Sequence, residues 1–205
     1  MIMNKTYKGK GIAMWNTVIN AIRMLLIVTI ITGVIYPLAM TGIAQLLFTS
    51  QANGSMLVQD GKIVGSRLIG QNFSNPGYFH GRPSAAGADG YDGISSAGSN
   101  LGPTSQKLKD TVLERISNER QQNNLAEGAN VPSDLVLASA SGLDPHITPD
   151  AAYVQVQRVA QVREINPNQV RSLISEHVEG KQIGFLGEAR VNVLELNLAL
   201  DAVKP

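Results

Sequence analysis

The sequence predicts a single N-terminal transmembrane helix plus a mixed α/β extracytoplasmic domain. The first observation is that residues 24–48 contain no side chain that is ionised at neutral pH. The second is that the rest of the chain mixes helical spacings with short apolar runs and turn signals. We therefore expect a basic cytoplasmic tail without regular structure, a transmembrane anchor helix with its inner interface turn, and an extracytoplasmic α/β domain, at residues 1–13, 14–48 and 49–205.

The apolar segment is long enough to cross a bilayer as a helix. At about 1.5 Å of rise per residue it spans roughly 37 Å, and the hydrocarbon core of a bilayer is about 30 Å thick. In lipid, one isolated segment can satisfy its backbone hydrogen bonds only as a helix. Arg23 and three lysines precede the segment, and no acidic residue does. Because basic flanks stay cytoplasmic, we expect the N-terminus inside and the bulk of the chain outside.

A cleaved signal peptide is the alternative to a permanent anchor. Ser50-Gln51-Ala52 resembles the small-residue pattern of a cleavage site. The apolar core of a signal peptide is about 7–15 residues long, however, and this segment is longer. An uncleaved anchor is therefore favoured, and a mature protein that begins at Asn53 would contradict it.

The apolar segment carries small and polar residues near one helical face. Such residues allow a second helix to approach closely, so we predict partner contacts at Thr29, Gly33, Tyr36 and Pro37. A kink is expected because the proline ring collides with the carbonyl four residues earlier. The alternative is a simple tether with a tolerated proline, since Pro and Gly are common in membrane helices.

The first half of the remaining chain predicts a hairpin, a long loop and a helix. Asp60-Gly61 is a turn signal between two apolar runs, which indicates two strands. The glycine-rich residues 75–103 indicate a loop that is either functional or disordered. Thr104 or Ser105 is a suitable cap for a helix that runs to about Gln122.

The second half predicts two further helices between two strands. The apolar residues 134–141 suit a buried strand. Thr148-Pro149 and Asn166-Pro167 each combine a capping side chain with a proline at the first helical position. Leucines at every second position in residues 191–205 predict a final strand, and a leucine-rich helix is the alternative.

Composition and motifs argue against most catalytic chemistry. The chain has no cysteine, and its net charge of +1 gives no reason to expect a nucleic-acid partner. No phosphate-binding glycine loop or serine-hydrolase elbow is present. The three histidines lack the spacing of metal ligands. We therefore predict no catalytic residues and no metal site, and we assign no cofactor site.

Two segments contain more chemistry than a simple connection needs. Residues 70–84 combine amides, aromatic rings and an arginine, which are types that anchor interfaces. Residues 138–149 are the second segment, and the alternative for them is a strand-to-helix connection built from turn formers. In the first segment the predicted partner contacts are Gln71, Asn72, Phe73, Tyr78, Phe79, Arg82 and Pro83.

Several sequence blocks follow one another in order, the first of them inside the apolar segment. These blocks are Tyr36-Pro37-Leu38, GSRLIGQNFSNPGYFHGRPSA (65–85), GSNLGP (98–103), SASGLDPHITPDAA (139–152), QRVA (157–160) and VNVLELNLALD (191–201). In these blocks the chain resembles the C subunit of the Kdp high-affinity potassium-transporting ATPase of bacteria, and the resemblance covers about residues 15 to 203.

The resemblance implies a non-catalytic, single-pass subunit in the bacterial inner membrane. Its implied partners are a channel-like potassium-binding subunit, a P-type ATPase subunit and a small one-helix subunit. The family is said to assist assembly and to act as a catalytic chaperone that raises the ATP affinity of the ATPase subunit. ATP is thus implied for the partner. With the domain outside, such an effect has to be coupled across the membrane.

A second function class also fits the predicted topology. A signal-anchored extracytoplasmic hydrolase or ligand-binding module would use His80, Arg82, Asp144 and His146 as its best residues. The function of a soluble form without the anchor distinguishes the two classes. A tethered enzyme is expected to work after its anchor is removed, whereas an assembly subunit is expected to lose its role.

Overall fold

The structure is a computed structural model that describes residues 6–203 in two compact units. The first unit ends at Asn53 and the second begins at Gly54. Residues 1–5 of the predicted basic tail lie outside the described residues.

The first unit is helical almost throughout. Helix α1 (Thr6–Ile30), a π-helical turn (Ile31–Ile35), α2 (Tyr36–Leu47) and the short α3 (Thr49–Ala52) follow one another. Within residues 6–203, the stretch Met14–Leu47 is the one helical segment long and apolar enough to cross a membrane. Residues 6–13, expected to lack regular structure, belong to α1 instead.

The helix geometry changes in the turn before Pro37, where the sequence predicted a kink. The Tyr36 backbone N–H bonds to the Ile31 carbonyl, five residues earlier, and the proline lies in the first turn of α2. The wider turn relieves the clash between the ring and the Gly33 carbonyl. It also rotates the faces on its two sides by about 100° relative to a straight helix, so the predicted stripe changes direction here.

The second unit contains two small sheets. Strands β1 (Met56–Gln59) and β2 (Lys62–Ser66) form the antiparallel hairpin that the sequence predicted. The second sheet is antiparallel and has the order β3-β5-β4. Its strands are β3 (His146–Ile147), β4 (Val178–Glu179) and β5 (Arg190–Asn192).

The helices of the second unit begin where their caps predict. Helix α4 (Gln106–Gln122) is capped by Ser105, whose hydroxyl accepts a hydrogen bond from Leu108 N. Thr148 and Asn166 cap the two helices that start with proline. The two helices that start with proline are α5 (Pro149–Val154) and α7 (Pro167–Glu176). The other two helices of this half are α6 (Val156–Arg163) and α8 (Val193–Ala202).

The strand predicted at residues 134–141 is wrong. Ser133–Leu135 is a single 3-10 turn, and the chain beyond it is irregular. Val136 is buried, which explains the apolar signal. Its carbonyl accepts a hydrogen bond from the Arg115 guanidinium at 2.9 Å. A side chain, and not a neighbouring strand, therefore satisfies this backbone.

The strand predicted over residues 191–205 is also wrong for Val193–Ala202, and residues 204 and 205 lie outside the described residues. Residues from Val193 to Ala202 form helix α8, as the leucine-rich alternative proposed. The Asn192 side chain accepts a hydrogen bond from Glu195 N at 3.2 Å and caps this helix. Three of its four leucines are buried. The helix is therefore covered on more than one face, and a helix covered in this way does not show the 3.6-residue spacing of apolar residues in its sequence.

One apolar core holds the second unit together. Helices α5 to α8 and the three-stranded sheet supply most of it, and Phe79 from the long loop is fully buried in it. Phe73 and Tyr153 pack against its edge. All members of this core come from residues 79–200, so the second unit has its own apolar centre.

Candidate functional site

Two buried amide side chains hold the loop that carries most of the predicted contact residues. Asn197 accepts a hydrogen bond from Phe79 N (2.8 Å) and donates one to Phe79 O (2.9 Å). Gln155 does the same for the next residue, with His80 N at 2.7 Å and His80 O at 3.1 Å. The backbone N–H and C=O groups of Phe79 and His80 are therefore hydrogen-bonded as they would be in a strand, but their partners are amide side chains and not a neighbouring backbone.

A buried arginine fixes the start of this loop. The Arg158 guanidinium donates to the carbonyl oxygens of Pro76 and Tyr78. It also donates to Asn123 Oδ1 at 3.0 Å and to Gln155 Oε1 at 2.6 Å. Burial lowers the pKa of Arg158, and the Glu119 carboxylate opposes that shift. Because each of its three nitrogens meets at least one acceptor, the buried charge rigidifies the loop.

Aromatic contacts cover the outer side of the same loop. The rings of Phe73 and Tyr78 pack with centroids 5.6 Å apart. The Arg163 guanidinium lies 4.4 Å from the centroid of the Tyr78 ring and is ion-paired with Asp201 at 2.8 Å. The Tyr78 hydroxyl donates to the same carboxylate at 3.1 Å. These contacts leave Tyr78 half-buried in its own chain.

The two segments singled out in the sequence contact one another, and we call residues 70–84 and 138–149 the paired loops. Gly70 N donates to Leu143 O at 2.9 Å. The Ser84 hydroxyl donates to Gly142 O at 2.6 Å. A Cβ atom on Gly70 would lie 2.6 Å from the Asp144 carbonyl oxygen, so this approach requires glycine. The paired loops are one structural unit.

An ion pair joins the paired loops. Arg82 lies 3.3 Å from the Asp144 carboxylate, which also accepts a hydrogen bond from His146 N at 3.0 Å. Burial acts to raise the pKa of Asp144, but hydrogen bonds from His146 and the Arg82 charge together hold it below its usual value. The Tyr91 hydroxyl donates to Arg82 O at 2.5 Å. Burial and the Asp144 charge raise the pKa of Tyr91 to about 12.

An open pocket of about 450 Å³ lies between the first of the paired loops, the segment around Tyr91 and helix α4. Burial and the Arg158 charge lower the pKa of His80, and burial raises the pKa of Glu119. Within residues 6–203, no group of three or more His, Asp or Glu side chains is arranged to hold a metal ion. Five predicted contact residues share this surface, namely Gln71, Asn72, Phe73, Arg82 and Pro83.

The residues of the hydrolase alternative are only partly brought together. Arg82, Asp144 and His146 form one cluster, but the His80 ring instead hydrogen-bonds Asn75 O at 3.2 Å. His146 Nδ1 lies 3.5 Å from Asp144 Oδ1. In the part of the chain that the structure describes, Arg82, Asp144 and His146 form a charged cluster that joins the two loops.

The predicted contact residues differ in how accessible they are. Phe79 has no exposed surface, so in this fold it is a core residue. Gln71 donates to Val64 O at 2.9 Å, which ties its amide to strand β2. Asn72 is exposed, and the other predicted contacts in the loop are half-buried. In the span, Thr29, Gly33, Tyr36 and Pro37 are all exposed. Contact with a partner remains a prediction for these residues.

Sequence reasoning missed the polar side chains that organise the site. Gln155, Arg158 and Asn197 are buried, and each lies within or beside an apolar helical stripe. A polar residue inside such a stripe is the signal that was available. The sequence does not show which group each of these side chains binds, because the loop residue that it bonds is 75 or more residues away in the chain.

Comparison with known proteins gives a consistent result. The profile of the family described as KdpC, K+-transporting ATPase, c chain, matches residues 18–202. The chain is 50% identical over 192 residues to the potassium-transporting ATPase KdpC subunit of Koribacter versatilis, covering 94% of this chain and 97% of that one. It is 54% identical over 181 residues to the corresponding subunit of Mycobacterium tuberculosis, covering 88% and 95%. The subunit of Polaromonas naphthalenivorans is 54% identical over 192 residues, covering 94% and 97%.

Proposed function

Because the chain belongs to the KdpC family of potassium-transporting ATPase subunits, we propose that it assembles and stabilises its complex and raises the ATP affinity of the ATP-hydrolysing subunit. As a member of that family it is an accessory subunit of a potassium transport complex. In this role the chain acts as a binding component and not as a catalyst.

The proposed topology places the N-terminus in the cytoplasm and the second unit outside the bacterial inner membrane. The support is the charge asymmetry of the flanks, because the residues before the apolar segment include four basic side chains and no acidic one, and basic flanks stay cytoplasmic. The partners proposed are a channel-like potassium-binding subunit, a P-type ATPase subunit and a small single-helix subunit. Gentle detergent purification through a tag on this chain is expected to recover them. Recovery of the chain alone would contradict the assembly role.

The observation that carries the assembly role is a glycine that the chain itself does not need. A Cβ atom on Gly33 would have only Thr29 Cγ2 near it, at 3.9 Å. The backbone there is helical, so no unusual dihedral requires glycine. A small residue on an exposed face of a membrane helix suits close contact with another helix.

Replacing this glycine tests the role directly. Gly33→Leu is expected to reduce the recovery of partner subunits from detergent, because the larger side chain holds a partner helix away. Gly42→Leu, at a glycine outside the predicted contact residues, is the matched control, since a Cβ at Gly42 meets nothing within 4 Å. Quantitative electrophoresis of the purified complexes measures the effect. Equal recovery with both variants would contradict a partner contact at Gly33.

The proposed effect on ATP affinity acts through the partner and not through a nucleotide site on this chain. A P-type ATPase binds nucleotide on the cytoplasmic side, opposite the proposed position of the second unit. A coupling between sites of the usual size changes an affinity about 5- to 150-fold. We therefore expect half-maximal ATPase activity at a lower ATP concentration when this chain is present. The purified full-length chain alone is expected not to bind ATP, and saturable binding in calorimetry would contradict this.

A further inference from the structure

A hairpin at residues 180–189 carries apolar side chains that the fold does not use. Every residue from 180 to 188 is exposed. At the tip, Ile183, Phe185 and Leu186 have exposed fractions of 82%, 71% and 49%. Large apolar side chains in such a group normally mark an interaction site.

The backbone of this tip is held in a defined shape. Gln182 N donates to Leu186 O and Leu186 N donates to Gln182 O, both at 2.9 Å. Ile183 has a φ of 54° and Gly184 a φ of 83°. The left-handed region is unfavourable for a β-branched residue and is retained where the surroundings impose it. The tip is thus preorganised, which reduces the ordering cost of binding.

The base of the hairpin is tied to the body of the second unit. The hairpin begins after Glu179 of β4 and ends before Arg190 of β5, and these two residues are paired in the sheet. The Glu179 carboxylate accepts from Arg190 at 2.9 Å and from Arg67 at 2.6 Å. Arg67 also contacts Glu195 of α8 at 3.0 Å. The tip therefore projects from a fixed base.

We propose that the 180–189 hairpin docks its apolar tip into an apolar pocket on another protein subunit of the potassium transport complex. This inference rests on the assembly role proposed above. The chemistry of the tip favours protein over lipid. Segments that lie on membranes are rich in basic residues on their polar side, whereas this hairpin has one Lys181, which is balanced by one Glu188. An apolar centre with a polar rim is the pattern of a protein interface.

Crosslinking identifies what covers the tip. Benzoylphenylalanine in place of Phe185, in the full-length chain within its membrane complex, is expected to give an adduct with another subunit. The same probe in place of Ile94, an equally apolar residue that is 96% exposed on a different loop, is the control. Adducts of the Phe185 probe with lipid alone, or with a second copy of this chain, would overturn the proposal.

A double variant tests whether the contact contributes to binding. Ile183→Asn with Phe185→Ser removes the apolar tip, and asparagine accepts the left-handed backbone more readily than isoleucine, so the turn is retained. Loss of two interface anchors is expected to lower partner recovery about tenfold or more, while Ile94→Ser leaves it unchanged. Normal recovery with the double variant would overturn the docking inference alone. If the unaltered chain recovers no partner, the assembly role itself fails.

Discussion

At the scale of single residues, buried polar side chains act as substitutes for a missing strand. Asn197 and Gln155 each present one acceptor and one donor to the backbone of the loop at Phe79 and His80. The loop contains turn formers and glycine and has no neighbouring strand for these groups. A primary amide has the same donor and acceptor pair as a peptide group, so it completes the pairing.

Replacement of Asn197 by leucine measures what this pairing contributes. The two side chains are similar in size, so the change mainly leaves Phe79 N–H and C=O without partners. Each orphaned buried group costs about 1–3 kcal/mol, and we expect the free energy of unfolding to fall by about 2–5 kcal/mol. Denaturant unfolding of the full-length chain in detergent is the measurement. Asn118→Leu on the exposed face of α4 is the control and is expected to stay within about 0.5 kcal/mol. Equal effects would contradict the proposed pairing.

At the scale of elements, the paired loops are held by close backbone contact. Gly70, Gly98 and Gly142 are the positions where a side chain would collide with backbone atoms. A Cβ on Gly98 would lie 2.8 Å from Ala140 O. The irregular chain of residues 85–103 therefore packs onto the second of the paired loops without sheet or helix. Glycine is needed here for space as well as for conformation.

Two alanine substitutions separate the requirement for space from the requirement for a left-handed backbone conformation. At Gly142, where φ is +67°, a Cβ would lie 2.6 Å from Ala97 O and 2.8 Å from Ala86 N. At Gly128, where φ is +86°, nothing lies within 4 Å. We expect Gly128→Ala to cost about 1 kcal/mol through strain alone. Gly142→Ala is expected to cost at least about 2 kcal/mol more. Similar unfolding free energies for the two variants would show that the loops separate easily.

At the scale of the whole molecule, the chain is an apolar helix joined to a domain with its own core. The first unit has no buried residue within Met14–Asn53, so its apolar side chains are available to lipid and to partners. The buried members of the core of the second unit, among the described residues, come from residues 79–200. This division suits a subunit whose span and domain have separate contacts in a complex.

Cleavage between the units tests this independence. A protease site inserted between Asn53 and Gly54 is expected to release a fragment that unfolds cooperatively, because the core cluster lies wholly within it. Its unfolding midpoint is expected within a few degrees of that of the uncut chain, measured by circular dichroism in the same detergent. Loss of the cooperative transition after cutting would mean that the span supports the domain.

Local chemistry in the sequence was sufficient for the long apolar helix of the first unit, the Asp60-Gly61 hairpin and the helices that begin after Ser105, Thr148 and Asn166. A turn, a cap or a run of apolar residues determines the structure of residues close to it in the chain, so it can be recognised from a short stretch of sequence. The family blocks were likewise readable as a series of short segments.

Only the tertiary structure decided how distant segments are used. It determined that Val193–Ala202 is a helix, that Phe79 is a core residue, and that the two loop segments join through Arg82 and Asp144. Burial and pairing depend on contacts between distant segments, such as that between Phe79 and Asn197, which are 118 residues apart. No local pattern specifies such a contact, because the same amide or leucine is equally acceptable in several environments until its partner is in place.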